Sequence, residues 1–320
     1  MQTVFPSYYL DFRCIGGACK HSCCVDWEID IDPQTYRSYL SRTDALGARI
    51  RASVAVGDNA HFCLNRDGRC PFLNKDNLCD IITEVGEGAL PEICREHPRF
   101  RNGYGDACVE LGLGFACEEA LSCALREEKL SFLCLDGEID SLTRIRMDDV
   151  KPLDASFPEL LGYNGDFLRE KHRVLLALSD VGISPKERIL RLCKEYGIDT
   201  SSEMYLTFFS TLATLEQLEP QWGELIACAK EDQDFEIMIS ERFVRLLSLF
   251  IFRHATADSL YSLATVMTFA FHLCRLAEHL TFASKGKLSY TEIVRLLSSE
   301  IEYSEDNTEA LLDACEALIL

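Results

Sequence analysis

Residues 14–24 read CIGGACKHSCC, placing Cys14, Cys19, Cys23 and the adjacent Cys24 in one short stretch. Cys63, Cys70, Cys79, Cys94, Cys108, Cys117, Cys123 and Cys134 follow, so twelve of the sixteen cysteines fall within the first 134 residues. Thiols this dense hold a soft metal or cluster, or pair as disulfides, and the redox compartment decides which. The intervals within 14–24 are four, three and no intervening residues. They match neither zinc knuckles nor the ferredoxin run, nor the three-then-two spacing of radical S-adenosylmethionine enzymes. Neighbouring side chains at 23 and 24 project in different directions. A single metal therefore takes one of them, and the other packs or serves a second site.

The bulk properties favour the metal reading. The opening MQTVFPSYYLDF lacks a basic region, an apolar stretch and a small-residue cleavage site, which predicts a cytoplasmic chain in which disulfides are rare. The longest uncharged run, residues 259–274, contains several Ser and Thr plus His272 and suits a buried helix rather than a membrane span. With 320 residues and 48% hydrophobic composition, the chain has the length for about two domains. Its net charge of −20 disfavours nucleic acid and anionic membranes as partners and attracts basic protein segments, although acidity also simply maintains solubility.

Outward from the cysteines, Phe5, Tyr8, Tyr9 and Phe12 form an aromatic lead-in that suits a core or the edge of a ligand pocket. EIDID predicts a short strand through Ile29 and Ile31. Asp32 with Pro33 opens a helix whose apolar face is Tyr36, Tyr39 and Leu40. Asp67-Gly68 predicts a turn, and CPFLNKDNLC at 70–79 a compact loop returning Cys79 towards Cys70. A helix from Asp80 carries Ile81, Ile82 and Val85 and stops near Gly86. EEALSCALREE, after Cys117, predicts another.

The polar stretch 136–165, with Pro152, Pro158, Gly162 and Gly165, reads as a linker. Beyond it, Ser184 with Glu187, Thr200 with Glu203 and Ser289 with Glu292 are helix starts, and Gly197 is a helix end. Cys193, Cys228, Cys274 and Cys315 read as small core residues there. The expected fold is mainly α. An irregular Cys-rich metal- or cluster-binding domain with short strands spans 1–135, and an all-helical domain spans 166–320.

Other motifs are weaker. Glu110, Gly112 and Gly114 in ELGLG form a partial match to the acid-and-glycine loop of ordinary methyltransferases, but the third glycine is absent. Arg95 and Arg99, near Cys94, suit a thiolate, an anionic cluster or a ligand carboxylate, or else pair with Glu92 and Glu96. His97 is a candidate base, with a structural hydrogen-bonding role as the plainer reading.

YYLDFRCIGGACKHSCCVDWEIDID at 8–32, RCPFLNKDNLCDI at 69–81, EICREHPR at 92–99 and FACEEA around Cys117 resemble the flagellin lysine-N-methylases. That family belongs to a wider group of cysteine-cluster proteins counted as zinc or iron chelators. Looser similarity continues through FVRLLSLFIFRHA and SSEIEYSEDNTEALL. Glu96-His97 stands where the family usually has an aromatic or Thr-Tyr before the proline.

The resemblance implies methyl transfer from S-adenosylmethionine to lysine amines of flagellin or another lysine-bearing protein, with an iron-sulfur cluster, 4Fe-4S in type, or zinc instead. Its implied ligands are Cys19, Cys23, Cys24, Cys70, Cys79, Cys94 and Cys117, not all at one centre. Cys14 also matches the pattern, while Cys63, Cys108, Cys123 and Cys134 look like additions. Arg95 and Arg99 are then candidates for binding the cofactor carboxylate, and Trp27, Tyr8, Tyr9 and His97 for the catalytic surroundings. The alternative is a non-catalytic zinc or iron-sulfur protein with a structural or electron-transfer role.

Overall fold

In a computed structural model, the strand Gln2–Pro6 (β1) runs between two partners that are distant in sequence. The structure describes residues 1–127, 129–139, 145, 147–153, 165–231 and 235–317. Contacts group them into two units. One comprises Met1–Phe12, Phe100–Ala116 and Ala120–Leu320, the other Arg13–Arg99 with Cys117–Glu119. This partition differs from an expected break after residue 135, because the first 135 residues divide between both units. Of the expected linker, residues 140–144, 146 and 154–164, with Pro158 and Gly162, lie outside the described residues.

The second unit holds short elements. Asp30–Ile31 (β2) is followed by Pro33–Ser41 (α1), Ala45–Ala52 (α2), Val54–Val56 (β3) and Ala60–Phe62 (β4), then Asp80–Val85 (α3) and Glu92–Glu96 (α4). Strand β4 pairs antiparallel with both β2 and β3. Asp32 caps α1 as expected, its carboxylate accepting from Thr35 N at 2.9 Å. On α1, Tyr39 is buried but Leu40 is exposed, so the apolar face is narrower than the sequence pattern suggested. Ile29, Ile31, Tyr39, Ile50, Phe62 and Phe72 are central to a small core.

The first unit combines a sheet with helices. Its further strands are Arg99–Tyr104 (β5, whose first residue counts with the other unit), Cys108–Leu113 (β6), Phe132–Asp136 (β7) and Lys151–Pro152 (β8), in the order β5-β6-β1-β7-β8. β1 pairs parallel with β6 and antiparallel with β7, so that Gln2 faces Cys108 on one side and Asp136 on the other. All six β6 residues are buried, which explains why this strand shows no alternation in sequence. Between β6 and β7 runs Glu118–Arg126 (α5).

Among the described residues eight further helices follow: Gly165–Leu178 (α6), Pro185–Tyr196 (α7), Ser202–Leu212 (α8), Pro220–Glu231 (α9), Glu241–His254 (α10), Leu263–Ala283 (α11), Tyr290–Leu297 (α12) and Glu305–Glu316 (α13). The helical reading of the second half therefore holds, but this unit also contains a sheet whose β1, β6 and β7 come from the first 136 residues. Helix α8 is capped by Ser201 rather than Thr200, while Ser289 and Glu292 form the full reciprocal box expected of them. Cys274 and Cys315 are buried as expected, but Cys228 is exposed and Cys193 half-buried. No described helix is long and apolar enough to cross a membrane, and the uncharged 259–274 run contributes to α11, which is buried along most of its length.

ELGLG lies at the end of β6 rather than in a cofactor loop. A Cβ on Gly112 would meet Phe100 Cζ at 2.2 Å, and one on Gly114 would meet Tyr303 Oη at 2.2 Å, so both glycines permit close packing. Glu110 is wholly buried. Its carboxylate pairs with Lys171 and lies 2.9 Å from His172 Nε2 and 2.8 Å from the Tyr104 hydroxyl. Lys171 Nζ also donates to the carbonyls of Phe252 and Ala255 at 2.8 and 2.7 Å, tying β6, α6 and the end of α10 together. Replacing Lys171 with Met strands a buried carboxylate. We expect a loss of about 3–5 kcal/mol in urea unfolding, whereas a change below about 1 kcal/mol would show that the pair is dispensable.

His272 is fully buried in α11, with Nε2 donating to Asp199 O at 2.9 Å. Burial pushes its pKa down to about 4, against the opposing bond to Asp199. Because the folded value lies below histidine's ordinary value of about 6.5, its contribution is fully present above that pH and is lost as pH falls towards the folded value. The stability advantage of wild type over His272→Phe should thus shrink by roughly 3 kcal/mol between about pH 7 and about pH 4. A pH-independent difference in parallel urea titrations would refute this assignment.

Candidate metal and cofactor site

The backbone of the Arg13–Arg99 unit gathers four thiols. Cys70 N donates to Cys24 O at 2.8 Å, and Val25 pairs antiparallel with Arg69, so Cys24 and Cys70 sit on adjoining stretches of chain. The following loop closes through the Leu73–Cys79 bridge and Asn74 N donating to Leu78 O at 2.9 Å. Asn74 also accepts the amides of Asp76 and Leu78 on Oδ1 and donates from Nδ2 to Asp80. The expected compact loop therefore returns Cys79 to its base. Cys94 arrives on α4. Cys24, Cys79 and Cys94 all pack against the core that contains Cys70.

The charges of these four thiols interact. Burial pushes Cys70 up to about 11, with Cys24 and Cys79 adding to the rise. Cys94 is raised further, first by burial and then by Cys24, Cys70 and Cys79. Cys79 is also raised, chiefly by burial. Cys24 moves the other way, down to about 7, because the Cys23 thiol donates to it, and Ser22 and Arg69 add to the effect. It is the ready thiolate of the set.

Three residues that sequence reading did not single out for the site support this nest. Asp32 caps α1 with one oxygen and accepts Glu92 N on Oδ2 at 2.9 Å, fixing the start of the helix that carries Cys94. Arg69 donates to Asn74 O and Asn77 Oδ1, clamping the 70–79 loop. Asp26 lies against Gly68, where φ is +75° and a Cβ would fall 1.7 Å from Asp26 Oδ1. The expected turn therefore requires glycine. Asp32 had a sequence signal, its cap, but its second bond joins residues sixty apart.

The remaining candidates divide. Trp27 and His97 meet edge-on, with ring centroids 6.0 Å apart, and both are half-buried. Arg95 pairs with Glu96, Nε to Oε1 at 3.6 Å, the neighbour expected as an alternative partner. Arg99 is half-buried at the start of β5. Tyr8 and Tyr9 are buried in the core of the other unit, which supports their packing role. Cys19, Cys23 and Cys117 lie in the same thiol-bearing unit, and the Cys23 thiol donates to Cys24 at the edge of the nest.

Spacing bears on the metal. Among the described residues, the trio of donor side chains lying within 4.8 Å of one another is Glu28, Asp30 and His61, so no three thiols approach that closely. A tetrahedral zinc with Zn–S near 2.3 Å would bring its sulfurs within about 4 Å of one another.

No family model matches the chain, and no solved structure matches it. The flagellar biosynthetic protein FliU of Salmonella muenchen is 31% identical over 146 residues, which cover 43% of this chain and 84% of that protein. The chain belongs to the FliU family. Lysine-N-methylases of Salmonella choleraesuis and Salmonella typhimurium are each 30% identical to this chain over 129 residues. Those matches cover 38% of the chain and 32% of each methylase, so the chain spans about a third of their length.

Asp32 provides a test of the nest. Asp32→Ala removes the α1 cap and the tether of α4 together. It should cost about 1–2 kcal/mol and weaken retention of iron or zinc about 10-fold in chelator competition. Unchanged retention in the folded variant would mean that Cys94 is positioned by other contacts.

Proposed function

We propose that this protein transfers methyl groups from S-adenosylmethionine to lysine side chains of flagellin or a similarly lysine-bearing protein in the cytoplasm. An iron-sulfur cluster held by Cys24, Cys70, Cys79 and Cys94 belongs to this reading. The observation that carries it is the similarity to FliU and to proteins named lysine-N-methylases, and the four-thiol nest gives it a chemical centre.

Four thiols on one core supply the donor type and number that such a cluster needs. When bound, the cluster would supply soft iron whose charge compensates the four thiolates. The chain's part is to gather the thiols, let them ionise together and exclude water with the core beneath them. Cys24, with its lowered pKa, would ionise first.

Around the nest, Arg95 and Arg99 would hold the carboxylate of S-adenosylmethionine by charge-assisted hydrogen bonds. An incoming lysine must first lose its ammonium proton, since a free lysine titrates near 10.4. His97, held edge-on to Trp27, would accept that proton, and Trp27 would offer an aromatic wall to the amine. The amine nitrogen then forms its bond to the methyl carbon as the carbon–sulfur bond breaks, and the sulfur keeps the electron pair. The net charge of −20 favours approach of a basic substrate segment.

The test is to purify the full chain anaerobically, incubate it with S-adenosylmethionine and flagellin, and follow flagellin by intact mass. Stepwise single-methyl increments on lysine are expected. His97→Gln should lower kcat by roughly 100-fold with cluster content unchanged. Unmodified flagellin with cluster-loaded wild type would overturn the reading.

A further inference from the structure

We infer that Glu28, Asp30 and His61 form a binding site for a single divalent transition-metal ion, built without thiols and distinct from the Cys24, Cys70, Cys79 and Cys94 nest. The site goes beyond the proposed methyl transfer and does not depend on it.

The backbone makes the site. Around β2 the side chains alternate: Ile29 and Ile31 are buried in the small core, whereas Glu28 and Asp30 are exposed. Side chains two residues apart along a strand share a face, so both carboxylates stand on the side of the sheet away from that core. β4 alternates in the same way, with Phe62 buried and His61 half-buried. His61 is paired directly with Asp30, and Phe62 N donates to Ile29 O at 3.0 Å, which fixes that register. A slip of one residue would turn the imidazole into the core. On its other side His61 pairs with Ala55, whose methyl group takes little space beside the ring.

One donor atom from each of Glu28, Asp30 and His61 lies within 4.8 Å of the other two. Metal–donor bonds of about 2.1 Å place donors roughly 3–3.5 Å apart. Rotation of the exposed Glu28 and Asp30 side chains closes that difference.

Two features distinguish this trio from ordinary solvated acids. Among the described residues, neither carboxylate meets an Arg, a Lys or another hydrogen-bond donor, so nothing there offsets their mutual repulsion. His61 is also held as metal-binding histidines are held. Its Nδ1 lies 3.3 Å from Asn59 O, and because a carbonyl only accepts, Nδ1 carries the proton and Nε2 keeps its lone pair.

The donor set chooses the ion. One imidazole and two carboxylates are harder than the thiol nest and softer than the all-oxygen cages of Ca²⁺ and Mg²⁺, which selects ions such as Mn²⁺, Fe²⁺ or Zn²⁺. Three protein donors leave coordination positions for water. A bound ion ties the chain that follows Trp27 to β4, the central strand of its sheet, and so fastens a unit whose core is small.

Mn²⁺ is the probe, because thiolates disfavour it and its electron spin reports on its ligands. Full-length protein, purified anaerobically and dialysed against EDTA and then buffer, is titrated with Mn²⁺. Electron paramagnetic resonance counts the unbound ion, and spin-echo modulation detects a coordinated imidazole nitrogen. One Mn²⁺ per chain, carrying one such nitrogen, is expected. Glu28→Gln, Asp30→Asn and His61→Gln should each weaken binding at least roughly 10-fold, and His61→Gln should also abolish the nitrogen signal. Glu84→Gln, at an exposed acid outside the trio, should bind as wild type does. Mn²⁺ should raise the unfolding temperature of wild type but not of His61→Gln, whose fold circular dichroism can verify.

Mn²⁺ bound without an imidazole nitrogen, or bound equally well by folded His61→Gln, would overturn the inference by showing that the ion only samples an acidic surface. Absence of saturable binding would overturn it as well. Whether flagellin is methylated bears on the proposed function alone.

Discussion

Four thiols packed on one small apolar core cannot all ionise unless a cation sits among them. Burial and mutual repulsion hold Cys70, Cys79 and Cys94 protonated, and only Cys24, supported by Cys23, Ser22 and Arg69, is biased towards thiolate. A metal or cluster reverses that balance by compensating the charges, which turns binding energy into folding energy. A unit whose core depends on residues such as Ile29, Tyr39, Phe62 and Phe72 gains most from such a staple. The loop geometry at 70–79, the tether from Asp32 to α4 and the Asp26–Gly68 contact all serve to bring those thiols together.

The other unit solves a different problem with different means. Two of its buried carboxylates are paired with basic neighbours: Glu110 with Lys171 and His172, Glu302 with Arg253 and His254. For both carboxylates burial raises the pKa, and the basic neighbours outweigh it and hold the value below the usual range. These groups join β6 to α6 and α10, and α10 to the π-helical turn Ser298–Glu302. Such networks fix one packing, since removal of either partner leaves a charge buried.

Much of this was legible in the sequence where local chemistry decides structure. Asp32-Pro33, Ser184, Gly197 and the Ser289/Glu292 box act through residues within a turn, and each marks a helix end in the structure. The Pro, Asn and Asp residues of 70–79 likewise close the loop they predict. The central sheet was not legible. β1 joins β6 and β7 across more than a hundred residues, and the all-buried β6 shows no period-two alternation. The same long-range pairing moves Tyr8 and Tyr9 into a core, away from the thiol-bearing unit their sequence position suggested. At the candidate site, cysteine spacing revealed that thiols gather. It did not reveal how they sort, because that depends on Cys24 pairing with Cys70 and on α4 being held by Asp32.

The most direct test of the central claim is iron K-edge X-ray absorption on the anaerobically purified chain. An all-sulfur first shell with an iron neighbour, lost from the nest when Cys70 and Cys79 are both replaced by Ser, is the predicted result. An oxygen- and nitrogen-rich shell, or an iron signal untouched by that double substitution, would contradict the account.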